Sequence, residues 1–161
     1  MEQEFKIKGL MMDPITNSPI VILQDTNKNT LLPIWVGIFE ANAIALQVER
    51  VDTPRPMTHD LLKNVLLQFD AEVEKIVVTE LKDNTFYALI HLQMDGDSVT
   101  IDSRPSDAIA LALRTDSPIF VTDEVINSSR NLTLDKENLD PEDVKKWLEN
   151  LNPEDLGKYK M

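Results

Sequence analysis

The fold of this chain is decided by two stretches, Glu-Ala-Asn-Ala-Ile-Ala-Leu at residues 40–46 and Asp-Ala-Ile-Ala-Leu-Ala-Leu at residues 107–113. When residue 40 is placed on residue 107, the apolar runs 20–23 and 31–34 fall on 87–90 and 98–101 without a gap. Both stretches begin with a carboxylate and continue with apolar residues at helical spacing. The pattern predicts a duplicated unit of three strands followed by a helix. The alternative is chance similarity between two alanine-rich helices, which a different strand order or direction in the two halves would support.

The segments around the two stretches alternate between strand-like and helical patterns. Strands are predicted at 5–12, 19–23, 30–36, 72–82, 85–94, 98–101 and 118–121. Helices are predicted at 39–51, from an N-cap at Thr58 to about residue 69, at 105–114, as a short turn at 123–127, and at 141–150. These elements predict an α+β fold with a mainly antiparallel or mixed sheet packed against helices. We expect a body over residues 1–127, followed by a polar loop and helical tail over residues 128–161.

The composition excludes several classes of protein. The chain has 161 residues and no cysteine, which leaves no disulfide framework, thiolate metal site or cysteine nucleophile. Its N-terminus lacks the basic start and apolar run of a signal peptide, and its apolar stretches are too short to span a bilayer. We therefore expect a cytoplasmic protein of one domain with no membrane partner.

The net charge of -12 bears directly on function. Residues 1–122 contain 18 acidic and 10 basic residues, so the acidity belongs to the body and not to a tail. Affinity for nucleic acid comes largely from neutralising phosphates with basic side chains. A nucleic-acid role for this chain therefore requires a local basic patch or bound divalent cations.

Two segments, residues 55–60 and 102–107, carry the patterns most typical of a functional site. Each places an Arg-Pro pair just before a predicted helix and an aspartate in the first turn of that helix. An arginine beside free helix N–H groups is a common binding site for phosphate. Arg55, Arg104 and the hydroxyl of Ser106 are accordingly predicted to bind phosphate.

The reactive groups that remain are carboxylates and a histidine. Glu40, Asp60 and Asp107 are candidate catalytic acids and candidate ligands for a divalent cation, Mg²⁺ or Mn²⁺. His59 is a candidate general base or ligand. Each also has an ordinary structural interpretation, because a first-turn carboxylate stabilises a helix by about 0.3–1 kcal/mol through its dipole. If these four side chains converge in an open cleft, a catalytic role is favoured. If they are buried in hydrogen bonds to backbone groups, a structural role is favoured.

Three blocks of the sequence, residues 32–41, 55–61 and 103–112, resemble the bifunctional nuclease domain family. The resemblance extends over roughly residues 5–127. It implies an α+β domain, a tendency to self-associate, and hydrolysis of both RNA and DNA. The roles of individual residues are assigned above from their chemistry and are not transferred from the family.

Three functions therefore remain to be distinguished. The first is a nuclease that hydrolyses phosphodiester bonds in RNA or DNA, with or without a divalent cation. The second is a non-enzymatic regulatory module that binds an anionic ligand or a partner, and the third is a structural oligomer. The apolar face of the predicted C-terminal helix also predicts a homo-oligomer, with a dimer favoured.

Overall fold

A computed structural model describes residues 1–27 and 30–129 of the chain. The strands are β1 (Glu2–Met12), β2 (Pro19–Asp25), β3 (Leu31–Trp35), β4 (Glu72–Lys82), β5 (Thr85–Met94), β6 (Asp97–Ser103) and β7 (Ile119–Thr122). The helices are α1 (Ile38–Val48), α2 (Thr58–Gln68), α3 (Pro105–Thr115) and α4 (Asp123–Ser128). No helix in these two ranges is long and apolar enough to cross a membrane. The predicted helix at 141–150 and nearly all of the predicted tail lie outside the described residues.

All seven strands form one mixed sheet in the order β3-β2-β1-β7-β4-β5-β6. Every neighbouring pair is antiparallel except β4 and β7, which run parallel. The sheet and its packed helices confirm the predicted α+β fold class. The hairpin of β4 and β5 turns at Asp83 and Asn84, which both adopt the positive φ that a tight hairpin turn requires.

The two halves of the chain repeat the same arrangement of elements. β1, β2 and β3 form an antiparallel meander followed by α1, and β4, β5 and β6 form an antiparallel meander followed by α3. The offset that places residue 40 on residue 107 also places both bounds of α1 on those of α3. Strand order and direction agree, as the duplicated unit requires, so chance similarity of two helices is not needed to explain the repeat. β7 lies between the halves and pairs with β1 and β4.

α1 and α3 pack against each other and against the sheet. Their small residues make this close approach possible, and those on the packed faces are fully buried, namely Ala41, Ala45, Ala108 and Ala112. α1 ends at Val48, three residues before its predicted end, because Arg50 adopts φ 54 and cannot continue a right-handed helix. The packing brings the N-termini of both helices to one end of the pair.

α2 packs on α3 but contributes no buried residue. Its predicted N-cap was wrong by one position, because Met57 caps the helix and Thr58 is its first residue. The Met57 N–H donates to Asp60 Oδ2 at 3.0 Å, so the carboxylate of Asp60 satisfies a free N–H group at the start of the helix. α2 adds only the partly buried Leu66 to the core, and its polar contacts with α3, from His59 and Asp60, help to hold it in place.

Candidate active site

Arg104 stands at the point where β6 ends and α3 begins. It is the N-cap residue of α3, and the following Pro105 fixes the first helical position. Arg104 Nη2 donates to Glu40 Oε1 at 2.7 Å, and its Nε donates to Asp107 Oδ2 at 3.0 Å. The guanidinium therefore joins the first turn of α1 to the first turn of α3. These two carboxylates hold the pKa of Arg104 above its ordinary value.

His59 extends this group of residues to α2. Its Nε2 lies 2.8 Å from Asp107 Oδ1, and its side chain is only 11% exposed. Because an ionised carboxylate only accepts hydrogen bonds, the proton of this contact lies on Nε2, which leaves Nδ1 as the basic nitrogen of a neutral ring. Asp107 thus orients His59 with one oxygen and Arg104 with the other. We call Glu40, His59, Arg104 and Asp107 the charged cluster.

Gly37 explains how Glu40 reaches the charged cluster. Gly37 is the N-cap residue of α1, and a Cβ atom built on it would collide with Glu40 Oε2. The absence of a side chain at Gly37 therefore lets the Glu40 carboxylate fold back over the start of its own helix. In the alignment of the two halves Gly37 corresponds to Arg104. The duplicated unit has thus become asymmetric, with one arginine serving the carboxylates of both halves.

Asp60 does not join the charged cluster, although it is adjacent to His59 in sequence. Its Oδ1 accepts from Arg114 Nε at 2.7 Å, and its Oδ2 accepts from the Met57 N–H. Burial raises the pKa of Asp60, but the bonds from Met57 and Arg114 outweigh that effect and leave the pKa below its ordinary value. Asp60 therefore anchors α2.

Arg114 is the residue that the sequence analysis missed. Its side chain is 4% exposed and satisfied on every side, since Nη1 donates to Ala110 O at 2.9 Å and Nη2 to Ala43 O at 3.0 Å. The guanidinium therefore ties α1, α2 and α3 together. The available signal was its place in the last turn of α3, two turns after Asp107, on the side of the helix that α2 covers.

The two other predicted phosphate-binding residues lie in different clefts. Arg55 is exposed and lines a cleft of about 260 Å³ together with Asp60 and Arg114. Ser106 lines a second cleft, of about 330 Å³, together with Arg104. The structure therefore brings Ser106 and Arg104 together and places Arg55 apart from them.

The predicted cation ligands do not form a metal site in this arrangement. Arg104 lies between Glu40 and Asp107, where a cation would have to bind, and Asp60 is paired with Arg114. Within residues 1–27 and 30–129 there is no group of three histidine or carboxylate side chains placed to hold a metal ion. A bound guanidinium neutralises the same carboxylate charge that a divalent cation would neutralise.

Comparison with known proteins establishes the family. The model of the bifunctional nuclease domain matches residues 21–133, which include the whole charged cluster. The chain belongs to the bifunctional nuclease domain family. The three blocks that carried the resemblance contain the whole cluster, with Glu40 in 32–41, His59 in 55–61, and Arg104 and Asp107 in 103–112, so the family pattern and the cluster coincide.

Relatives of this chain occur in bacteria and plants. An uncharacterized protein of Mycobacterium tuberculosis is 34% identical over 135 residues, covering 84% of this chain and 80% of that protein. Bifunctional nuclease 2 of Arabidopsis thaliana is 29% identical over 126 residues, covering 76% of this chain and 38% of that protein. Bifunctional nuclease 1 of Oryza sativa subsp. japonica is 25% identical over 114 residues, covering 69% of this chain and 34% of that protein. The plant proteins are thus much longer than the region they share with this chain.

Proposed function

We propose that this protein hydrolyses phosphodiester bonds of RNA or DNA at the charged cluster. The observation that carries the proposal is the chain of contacts from His59 through Asp107 to Arg104, at 2.8 and 3.0 Å. It joins an oriented imidazole, an orienting carboxylate and an exposed guanidinium, which are the groups that phosphodiester hydrolysis uses. Membership of the bifunctional nuclease domain family supports the same reaction.

The proposed reaction begins with a water molecule held by Nδ1 of His59. Nδ1 takes a proton from the water as its oxygen forms a bond to phosphorus, and Asp107 stabilises the imidazolium that results. The bond from phosphorus to the leaving oxygen breaks, and that oxygen takes a proton from solvent. Arg104 stabilises the negative charge that develops on the non-bridging phosphate oxygens. Glu40 holds Arg104 in place before the substrate arrives.

Arg104 is suited to this role because 65% of its side chain is exposed, whereas Glu40 and His59 are largely buried. It presents more N–H groups than its two carboxylate partners occupy, so it binds phosphate without leaving either partner. The cluster therefore offers one exposed cation, Arg104, which is joined through Asp107 to a largely buried base, His59. That arrangement supports local recognition of phosphate by a protein whose overall charge is -12.

The test is a cleavage assay on highly purified protein with single-stranded RNA and DNA, run with Mg²⁺, with Mn²⁺ and with EDTA. We expect His59→Ala and Asp107→Asn to lower the rate about 10²–10⁴-fold, the usual contribution of a general base. His91→Ala is the matched control, because His91 lies on β5 and makes none of the cluster contacts. Equal cleavage by all variants would show that the activity belongs to another site or to a contaminant. The three ion conditions establish whether a divalent cation contributes.

One observation favours a second candidate, a structural or regulatory module without catalysis. Every charged group of the cluster is already paired within the protein, and the pairs tie α1, α2 and α3 together. On this hypothesis His59→Ala lowers the free energy of unfolding and the purified wild-type protein cleaves neither substrate. Cleavage by the purified wild-type protein therefore separates the two functions, and urea unfolding of His59→Ala measures how much the contact contributes to stability.

A further inference from the structure

We propose that the cleft of about 330 Å³ beside Arg104 binds one nucleotide of a single strand, with its base stacked on Trp35 and its phosphate at Ser106. The cleft is lined by Trp35, Gly37, Phe86, Arg104 and Ser106, among others. It adjoins the charged cluster, because Arg104 belongs to both. This inference rests on the proposed function and names the kind of substrate that the site accepts.

Trp35 has the properties of a stacking surface. It is the last residue of β3 and is 41% exposed, so part of its ring is open to the cleft that it lines. Its indole N–H donates to Asp13 Oδ2 at 3.0 Å, which fixes the orientation of the ring. The bond also lowers the pKa of Asp13 and so keeps this acceptor charged. A base that stacks on a ring already held in place costs little ordering entropy.

Ser106 supplies an independent sign of a ligand. It is 5% exposed and lines the cleft, yet its hydroxyl makes no hydrogen bond to any of the described residues. No fully buried polar side-chain atom among the described residues lacks a partner, so the hydroxyl of Ser106 is open to the cleft and available to a ligand. The N-cap residues of α1 and α3, Gly37 and Arg104, line the same cleft, so the guanidinium of Arg104 lies at its edge. A phosphate in the cleft would be stabilised by the hydroxyl of Ser106 and the guanidinium of Arg104.

The combination of a ring and an anion site indicates a nucleotide with an unpaired base. Inside a duplex both faces of a base are covered by its neighbours, so the base has no face free for an indole. In a single strand the bases are available, and aromatic side chains bind them with little regard to sequence. The cleft is also too small to hold a duplex but has room for a single nucleotide. The proposal therefore predicts a preference for single strands and a tolerance of sequence.

The test uses tryptophan fluorescence, since the chain has two tryptophans, Trp35 and Trp147. The full-length variant Trp147→Phe reports on Trp35 alone and is titrated with oligothymidylate of about eight nucleotides, a common length for a single-strand site. We expect quenching on binding, and little quenching with an abasic oligonucleotide of the same length. Trp35→Ala should weaken binding of oligothymidylate about 5- to 150-fold, the range for losing one stacked base, measured by the fluorescence anisotropy of a dye-labelled strand because this variant lacks the reporting ring.

Matched variants keep the result interpretable. Tyr87→Ala is the control, because Tyr87 is as exposed as Trp35 but is not among the residues that line the cleft. Trp35→Phe retains a smaller stacking ring and should recover part of the affinity. Equal binding by Trp35→Ala and wild type, or equal binding of abasic and normal strands, would overturn the proposal.

The titrations are run in the His59→Ala background with EDTA, so that binding is measured without cleavage. Stacking on Trp35 in a protein whose wild type cleaves nothing would contradict the proposed function and leave the binding site standing. Cleavage by the wild type without stacking on Trp35 would contradict the binding site and leave the proposed function standing. Each of the two proposals can therefore be contradicted while the other stands.

Discussion

The two arginines of α3 show how burial separates roles for the same side chain. Arg104 and Arg114 both pair with aspartates near the start of a helix. Arg104 is largely exposed and keeps N–H groups free for a ligand, whereas Arg114 is buried and bonded to two backbone carbonyls and Asp60. An exposed pair contributes little to stability, and a buried one is costly to break. The arginine that holds the three helices together is therefore different from the arginine that is exposed in the charged cluster.

Replacing Arg114 should destabilise the protein. Arg114→Met leaves the carbonyls of Ala43 and Ala110 without their donor and leaves Asp60 without its counter-charge. We expect the free energy of unfolding to fall by about 2–4 kcal/mol, somewhat less than for a fully buried pair because Asp60 is partly exposed. Urea unfolding measures the change. Arg55→Met, at an exposed arginine, is the control and should change stability by about 0.5 kcal/mol or less. Equal losses in both variants would contradict the role of Arg114.

At the scale of elements, α2 differs from its neighbours in how it is held. α1 and α3 are fixed by fully buried apolar residues, whereas α2 adds only the partly buried Leu66 to the core. Two consecutive residues of α2, His59 and Asp60, pair with Asp107 and Arg114 on α3. The position of His59, the candidate general base, therefore depends on these ionic contacts between α2 and α3, and the strength of such contacts changes with pH.

The anchor at Asp60 predicts a specific dependence of stability on pH. Its pKa in the folded protein is lowered, so in the unfolded chain, where the value is about 3.9, it takes up a proton first as the pH falls. The stabilisation is therefore complete well above pH 4 and is lost as the pH falls through the lower, folded value. Asp60→Asn should be less stable than the wild type at pH 7, and the difference should shrink below about pH 4.

Unfolding by urea at a series of pH values measures that difference. Asp52→Asn is the matched control, because Asp52 is an exposed carboxylate in the loop before α2. A gap between wild type and Asp60→Asn that stays constant from pH 7 to about pH 3 would show that the charge of Asp60 does not anchor α2.

The elements themselves were largely predictable from the sequence. The hairpin of β4 and β5 was confirmed residue for residue, and α3 differs from its prediction by one residue at its end. The errors lie at the boundaries of elements, since α1 ends three residues early, β1 begins three residues early and the N-cap of α2 is off by one position. Periodicity determines which face of an element is apolar but does not determine the residue at which it stops.

At the scale of the whole molecule, the net negative charge limits how the protein can bind nucleic acid. A protein of charge -12 repels phosphate at a distance, so attraction must be local. Among the described residues that line the proposed binding cleft, Arg104 is the only one with a basic side chain. Self-association, cytoplasmic location and the boundary near residue 127 stay predictions.

Binding of single strands should therefore depend only weakly on salt. Each phosphate neutralised in a single strand contributes about -0.7 to the slope of log K against log salt concentration, and Arg104 accounts for about one. We expect a slope no steeper than about -1, measured with oligothymidylate and the His59→Ala protein over a series of salt concentrations. Arg104→Met should flatten the slope further. A slope steeper than about -2 would indicate a basic surface elsewhere in the chain.

What the sequence determined by itself was the set of elements, their duplication in the two halves of the chain, and the two segments, 55–60 and 102–107, in which an Arg-Pro pair precedes a helix. These follow from spacing along the chain, because side-chain periodicity and turn chemistry are local properties. What only the tertiary structure decided was which charges pair. Asp60 and His59 are adjacent in sequence but bind opposite ends of α3, and Arg104 reaches Glu40 across 64 positions. Such pairs depend on how α1, α2 and α3 pack, which no local pattern specifies.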